Sequence, residues 1–443
     1  MRASTALMTD RYELTMLDAA LRDGTAHRHC VFELFARRLS GGRRFGVVGG
    51  TGRLLELLRD FRFADDELRF LRDESVVSAE AVAYLENYRF GGSITGYREG
   101  ELYFPGSPIL TVEGSFADAV ILETLALSVL NHDSAVATAA SRMSIAAGDR
   151  PLAEMGSRRA GESSAVSAAR AAYIAGFDAT SNLEAGRRWG IPTMGTAAHS
   201  WTLLHDSEAD AFRAQVDALG TDTTLLIDTY DIEQGVKTAI DVAGTSLGGV
   251  RIDSGDLPTV AATVRAQLDS LGATNTRITV TSDLDEFAIA ALAASPVDAY
   301  GVGTSVVTGS GYPTASMVYK LVARQDDAGG WVAVAKSAEG KGSQGGRKTA
   351  FRSLENGVAT QELVVVSDGF ESLADPSQHP DARPLQVPLV IGGEPVADYE
   401  GTRGVAAARE HHLRVREELP LRALALSRSD PAIPTVYRDA ADA

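Results

Sequence analysis

The chain holds a single cysteine, Cys30, in 443 residues. That excludes an internal disulfide and any zinc site built from several thiolates, and it fits a reducing compartment. There is no basic excess either. Lys and Arg total 42 against 59 Asp and Glu, a net charge of -17, the opposite of the footprint a general nucleic-acid binder needs. No apolar run is long and clean enough to span a bilayer. The greasiest stretch, Phe116 to Leu130, is broken by Asp118 and Glu123 and falls short of the roughly 20 residues required. The N-terminal MRASTALMTDRYE lacks an apolar signal core, and no short repeat or low-complexity tract appears. Lysine is the scarcest charge. Only Lys237, Lys320, Lys336, Lys341 and Lys348 occur, four of them between 320 and 348, so flexible point charges concentrate there. The expectation is a cytoplasmic enzyme with neither nucleic-acid nor membrane partners.

What is present is globular in kind: 44% hydrophobic and 23% charged residues, enough to bury a core. At about 150 residues per domain, the length predicts two or three domains. Residues 1–130 read as mixed α and β. Asp10 and Glu13 have capping-box spacing, Leu14, Leu17 and Leu21 recur at helical intervals, and Gly24 ends the run. Strands are predicted over Val31–Phe35 and Pro108–Glu113, and a glycine-rich loop at 41–52 leads into a helix over Arg53–Phe61.

From about residue 150 strand and helix alternate. Strands are predicted to end near Met155, Ser181, Met194, Asp228, Asp253, Thr281 and Val302. Helices are predicted at Glu208–Leu219, Ile232–Val242, Leu257–Leu271 and Leu284–Ala293. Seven such units, with an eighth strand predicted at Met317–Val322, point to a parallel sheet closed as an α/β barrel over residues 131–325. An open doubly wound sheet is the alternative. Residues 326–443 hold a Gly- and Lys-rich loop at 337–348 and a basic helix near 402–418, whose His411 and His412 are predicted on a solvated face.

In a parallel barrel the loops after the strands open on one rim, so the polar residues at strand ends form one set. They are Arg158 and Arg159, Ser181, Thr196 with His199, Asp228, then Arg251, Asp253, Ser254 and Asp256, Ser282 with Asp283, and finally Gly303-Thr304. Carboxylates, guanidiniums, one imidazole and a Gly-Thr loop suit a magnesium-bound phosphate ester. Arg251 and Asp253 alternate about Ile252 and so share a side of an extended strand. Asp256, just before Leu257, is predicted to cap the next helix. An Asp at 228 beside His199 would fix the imidazole tautomer and strengthen the other nitrogen as a nucleophile.

Nine segments, in order, resemble the nicotinate phosphoribosyltransferase family: TDRYELTM (9–16), FELFARR (32–38), EMGSRRA (154–160), GFDATSN (176–182), GTAAHSW (195–201), LIDTYD (226–231), VRIDSGD (250–256), TSDLDE (281–286) and GVGTSV (301–306). The resemblance covers nearly the whole chain. It implies an N-terminal α/β domain, an irregular parallel α/β (TIM-like) barrel, and a C-terminal segment packing back on the first domain. It further implies a head-to-tail homodimer whose sites are completed by the partner. The implied reaction joins nicotinate to 5-phosphoribosyl 1-diphosphate, with Mg2+, and couples to ATP through a phosphohistidine.

By position the resemblance makes His199 the phosphorylated histidine, Asp228 its hydrogen-bond partner, and Asp253 the holder of ribose hydroxyls or metal. Tyr12 and Met155 would sandwich the pyridine, Met155 standing where the family has Phe. Arg158, Thr196 and Arg251 would hold the carboxylate. Ser181 would select it, since the nicotinamide enzyme has an Asp there that would repel a carboxylate. Phosphates would fall to Ser254, Gly255, Ser282, Gly303 and Thr304, and to Arg38, Lys336 and Lys341 in segments reaching across from the partner: Arg37 or Arg38, and the loop Lys336–Lys348. The metal ligands are not specified. The alternatives are a nicotinamide or quinolinate enzyme, a non-catalytic nucleotide-binding barrel, and an aldolase-type barrel. The last is disfavoured because the one lysine inside the barrel proper, Lys237, is predicted on a helix.

Overall fold

The computed structural model describes residues 4–336, 344–367, 377, 379–396 and 399–440. The chain forms two compact units, one of residues 1–138 with 312–443 and the other of residues 139–311.

In the second unit six parallel strands are ordered Ala179–Thr180, Leu152–Glu154, Ala299–Val302, Arg277–Val280, Gly249–Ile252 and Thr224–Leu226. The last strand in sequence pairs with the first, Tyr300 opposite Leu152, which is the step that curls such a sheet toward a barrel. A lone parallel bridge between Thr180 and Thr193 extends one edge. Among the described residues no ladder joins that edge to Thr224–Leu226, so the ring is an irregular half-barrel. The central strands read as short apolar runs because both faces are covered. Val250, Ile252, Ile278, Val280 and Val302 are all fully buried.

Three helices of this unit carry side-chain caps, the one at Asp256 as expected. Glu208–Leu219 is capped by Ser207, Ile232–Ala243 by Asp231, and Leu257–Ser270 by Asp256, whose Oδ1 accepts from the Thr259 N–H at 3.1 Å.

The predicted eighth barrel strand does not belong to this sheet. Met317–Gln325 lies in the first unit, antiparallel to His29–Ala36, with Glu33 opposite Lys320. An apolar run of that length fits either sheet, and pairing partners are not legible from one strand alone.

The first unit is built on a seven-stranded antiparallel sheet ordered Trp331–Ala333, Met317–Gln325, His29–Ala36, Leu110–Ser115, Ser93–Tyr97, Gln386–Ile391 and Glu394–Pro395. A second sheet of four strands comes from residues 347–439, so the C-terminal segment does complete the unit that the N-terminus begins. His29–Ala36 is buried along nearly its whole length. That places Glu33 in the core, where Lys348 Nζ lies 2.8 Å from its Oε2 with both side chains under 5% exposed.

Two expectations change here. The capping box is not formed: Asp10 makes no side-chain cap to helix Arg11–Asp23, and Glu13 is fully buried instead. Its carboxylate accepts from the Thr9 hydroxyl, the Thr124 hydroxyl and, at 2.9 Å, the Thr124 N–H. His411 and His412 are buried rather than solvated. His411 Nε2 is 2.9 Å from Glu101 Oε2, and His412 Nδ1 is 2.9 Å from the Gly100 carbonyl; burial drives the His412 pKa down to about 4. The glycine-rich loop leads into helix Thr51–Arg59 as expected, and it also packs closely. Val47 and Gly49 donate to Thr138 and Ser134 of the long helix Glu123–Ala147, and Gly50 and Gly52 donate to Glu99. The stretch Phe116–Ala147 has the length and hydropathy of a membrane helix, yet 67% of its most apolar window is buried, as in a core helix.

Candidate active site

Because the six strands of the second unit are parallel, the segments after their C-terminal ends emerge on one rim. Met155 and Arg158 follow the strand at 152–154, Ser181 that at 179–180, and Asp228 that at 224–226. Asp253 follows 249–252, Ser282 follows 277–280, and Gly303 follows 299–302.

His199 opens the short helix His199–Leu204, with its side chain 40% exposed. Its Nδ1 faces the Thr229 hydroxyl at 3.1 Å. Its Nε2 faces two carboxylates at nearly equal distance, Asp253 Oδ2 at 3.8 Å and Asp228 Oδ1 at 3.9 Å. The expected hydrogen bond from the imidazole to Asp228 is therefore absent, since 3.9 Å is too long for one.

Asp228 braces the neighbouring turn instead. Its Oδ2 accepts from the Asp253 N–H at 2.8 Å and from the Ser254 hydroxyl at 2.7 Å. Its Oδ1 is buried without a hydrogen-bond partner, a costly condition for a carboxylate oxygen and one that a bound cation or donor would relieve. Asp253 is turned by Thr281, whose hydroxyl donates to its Oδ1 at 2.5 Å.

Arg251 donates from Nη1 to Thr196 Oγ1 at 2.6 Å, and its Nε is buried with no partner. Burial lowers its pKa first of all. The nearby Arg158 guanidinium lowers it further, while Asp253 and Asp228 oppose the shift. Two like charges held together in this way make a receptor for an anion.

Met155 crosses the mouth of the sheet. A Cβ on Gly301 would lie 2.7 Å from the Met155 sulfur and 2.6 Å from Thr281 Cγ2, so glycine is required there. Ser282 holds φ at +101°, a conformation that an L side chain rarely adopts and that marks strain at this rim. Ser181, Ser254, Gly255, Ser282 and Thr304 are exposed, and Gly303 is part-buried.

Three participants carry no distinctive sequence signal. Thr229 is one residue past Asp228, and strand alternation would aim it away. The strand stops at Leu226, so alternation no longer governs either residue. Thr281 reads from sequence as an ordinary strand residue. Glu154 is fully buried, accepting from Thr180 Oγ1 at 2.6 Å and from the Gly156 N–H, and burial raises its pKa. It ties the loop of Met155 to that of Ser181.

Tyr12, Arg38 and Lys336 lie in the first unit, and all three are exposed there. Burial lowers the Lys320 pKa first of all; Glu123 opposes the shift, and the nearby Arg37 and Lys336 add to it. Lys341 falls outside the described residues. Lys348, from the same predicted loop, is engaged in the core with Glu33.

Residues 7–131 match the family model described as the nicotinate phosphoribosyltransferase (NAPRTase) N-terminal domain. A nicotinate phosphoribosyltransferase of Mycobacterium tuberculosis, pncB1, is 56% identical over 97% of this chain and 94% of its own length. The nicotinate phosphoribosyltransferase of Bacillus subtilis is 38% identical over 73% of this chain and 68% of its own. The solved structure of human nicotinic acid phosphoribosyltransferase superposes with a TM-score of 0.80 at 26% identity, covering 97% of both chains. With identity sustained along almost the full length, and a rim that gathers one imidazole, two carboxylates and paired guanidiniums, this chain belongs to the nicotinate phosphoribosyltransferase family.

Proposed function

We propose that this protein joins nicotinate to 5-phosphoribosyl 1-diphosphate, releasing nicotinate mononucleotide and pyrophosphate for NAD synthesis by salvage, and couples the transfer to ATP through His199. The supporting observation is His199 within 4 Å of both Asp228 and Asp253, on the rim where Arg251 holds Thr196 and interacts electrostatically with the same two carboxylates.

The pyridine nitrogen is already a nucleophile, so the ribosyl transfer needs no strong base; positioning supplies much of the rate. The nicotinate carboxylate would lie against Arg251 and Arg158, with Thr196 holding the Arg251 fork and the unpartnered Arg251 Nε as a further donor. Ser181 can donate to that carboxylate, and this favours nicotinate over nicotinamide. Met155 would pack on the ring through its sulfur. Gly303 and Thr304 would take the 5-phosphate, with Ser254, Gly255 and Ser282 beside the ribose and its diphosphate. For Tyr12, Arg38, Lys336 and Lys341 the roles in ring and phosphate binding rest on the family resemblance, as does a homodimer.

In the coupling step the Nε2 lone pair bonds to the γ-phosphorus of ATP, the bond to the bridging oxygen breaks, and ADP leaves. Water later takes the phosphoryl group and restores the imidazole. Mg2+ fits the donors present. Asp228 Oδ1 is buried and unpartnered, Asp253 Oδ2 faces the same imidazole nitrogen, and two carboxylates plus substrate phosphates are a usual set for this ion. When bound there it would neutralise charge on the departing pyrophosphate. Among the described residues no group of three or more His, Cys, Asp or Glu is arranged to hold a metal.

The test is pyrophosphate release with nicotinate or nicotinamide, with and without ATP, in the parent and in His199→Ala. Nicotinate should be preferred, ATP should stimulate the parent, and the variant should lose that stimulation. Persisting ATP coupling in the variant would remove His199 as the phosphate carrier.

A further inference from the structure

We infer that Thr229 is the positioning residue that sets which imidazole nitrogen of His199 is nucleophilic. The inference rests on the proposed role of His199 as the phosphate acceptor and adds the group that prepares it.

A neutral imidazole carries one N–H and one lone pair, and the partner of one nitrogen decides the state of the other. An aspartate would be the ordinary orienting group, and Asp228 is adjacent in space, but its geometry is wrong for the task. It lies on the Nε2 side at 3.9 Å, and its Oδ2 is committed to the Asp253 N–H and the Ser254 hydroxyl. Asp253 is also on the Nε2 side, at 3.8 Å. Neither carboxylate is within hydrogen-bond distance of the ring, and neither faces Nδ1.

Thr229 acts from the other side. Its hydroxyl oxygen is 3.1 Å from Nδ1 and can accept the Nδ1–H, leaving the lone pair on Nε2. The same contact persists through the reaction. As Nε2 bonds to phosphorus and ADP departs, the ring becomes a phosphoimidazolium that still bears its Nδ1 proton, and the Thr229 oxygen continues to accept it. A threonine suits this post better than a carboxylate. It orients the ring without adding a third negative charge beside the incoming phosphate, and a hydroxyl can reverse its role if the tautomer changes.

Thr229→Val keeps the shape and removes the acceptor; Thr229→Ser restores it. The protein labelled with 15N at histidine reports the tautomer directly, and acid-labile phosphate on the protein after mixing with ATP reports the transfer. In Thr229→Val the His199 signals should move toward the Nε2–H form, and the rate of histidine phosphorylation should fall by about tenfold, the scale of one hydrogen bond. Both should return in Thr229→Ser. Unchanged tautomer signals in Thr229→Val, or a loss of phosphorylation that serine does not rescue, would overturn the inference. If the parent itself forms no phosphohistidine that His199→Ala abolishes, the reading of His199 fails instead, and the two failures are told apart by the parent measurement.

Discussion

Lys348 ends the loop read from sequence as reaching the phosphates, yet its side chain is found in a core. Its ammonium is 1% exposed, 2.8 Å from Glu33 Oε2, and donates also to the Gln344 carbonyl at 2.8 Å. Burial pushes the Glu33 pKa up and Lys348 draws it back down. Replacing Lys348 by Met keeps the volume but strands Glu33 as an uncompensated buried carboxyl, a change that costs about 3–5 kcal/mol. At roughly 2–4 °C per kcal/mol for a unit of this size, the apparent melting temperature should drop by about 10 °C. The double variant Glu33→Leu/Lys348→Met should recover most of that loss, because two well-packed apolar side chains need no charge compensation. The assay is thermal unfolding of the parent, both single variants and the double variant at pH 7.5, followed by KM for the ribosyl diphosphate well below melting. A single variant melting within about 2 °C of the parent, together with a large rise in that KM, would refute the structural role and place Lys348 with the phosphate-binding loop instead.

Two further predictions rest on carboxyl groups. Burial raises the Glu13 pKa to about 7 from 4.5, so the folded state holds a proton that the unfolded chain has released between those values. Stability from this group is therefore complete below about pH 4.5 and is lost as pH rises through about 7, a change on the order of 3 kcal/mol. Glu13→Gln should flatten the urea midpoint between pH 5.5 and 8, and an unaltered pH dependence would show that another group is responsible. Ser181→Asp should weaken nicotinate use far more than nicotinamide use, with about 4 kcal/mol as the scale of a like-charge contact at 4 Å. Equal losses in kcat/KM for both pyridines would mean that the position does not read the substituent.

The helix cap at Asp256 and the punctuation of strand ends are local properties, and they carried over from sequence to structure, whereas the capping box at Asp10 did not. Ser207, Asp231 and Asp256 each begin the helix that follows them, and the polar residues that end the parallel strands do emerge on one rim. A rim position follows from chain direction, which short-range patterning already contains. Pairing, burial and contact belong to the tertiary structure alone. Met317–Gln325 joined the antiparallel sheet because a strand's partner is chosen by the surface it completes, and that surface lies almost three hundred residues away at His29–Ala36. Glu13, Lys348, His411 and His412 look like solvated groups in sequence, yet each is enclosed with a matched donor or acceptor. The orientation of His199 was decided last: once the strand had ended at Leu226, only the packed loop could determine that threonine, and not the aspartate before it, would meet the Nδ1 atom.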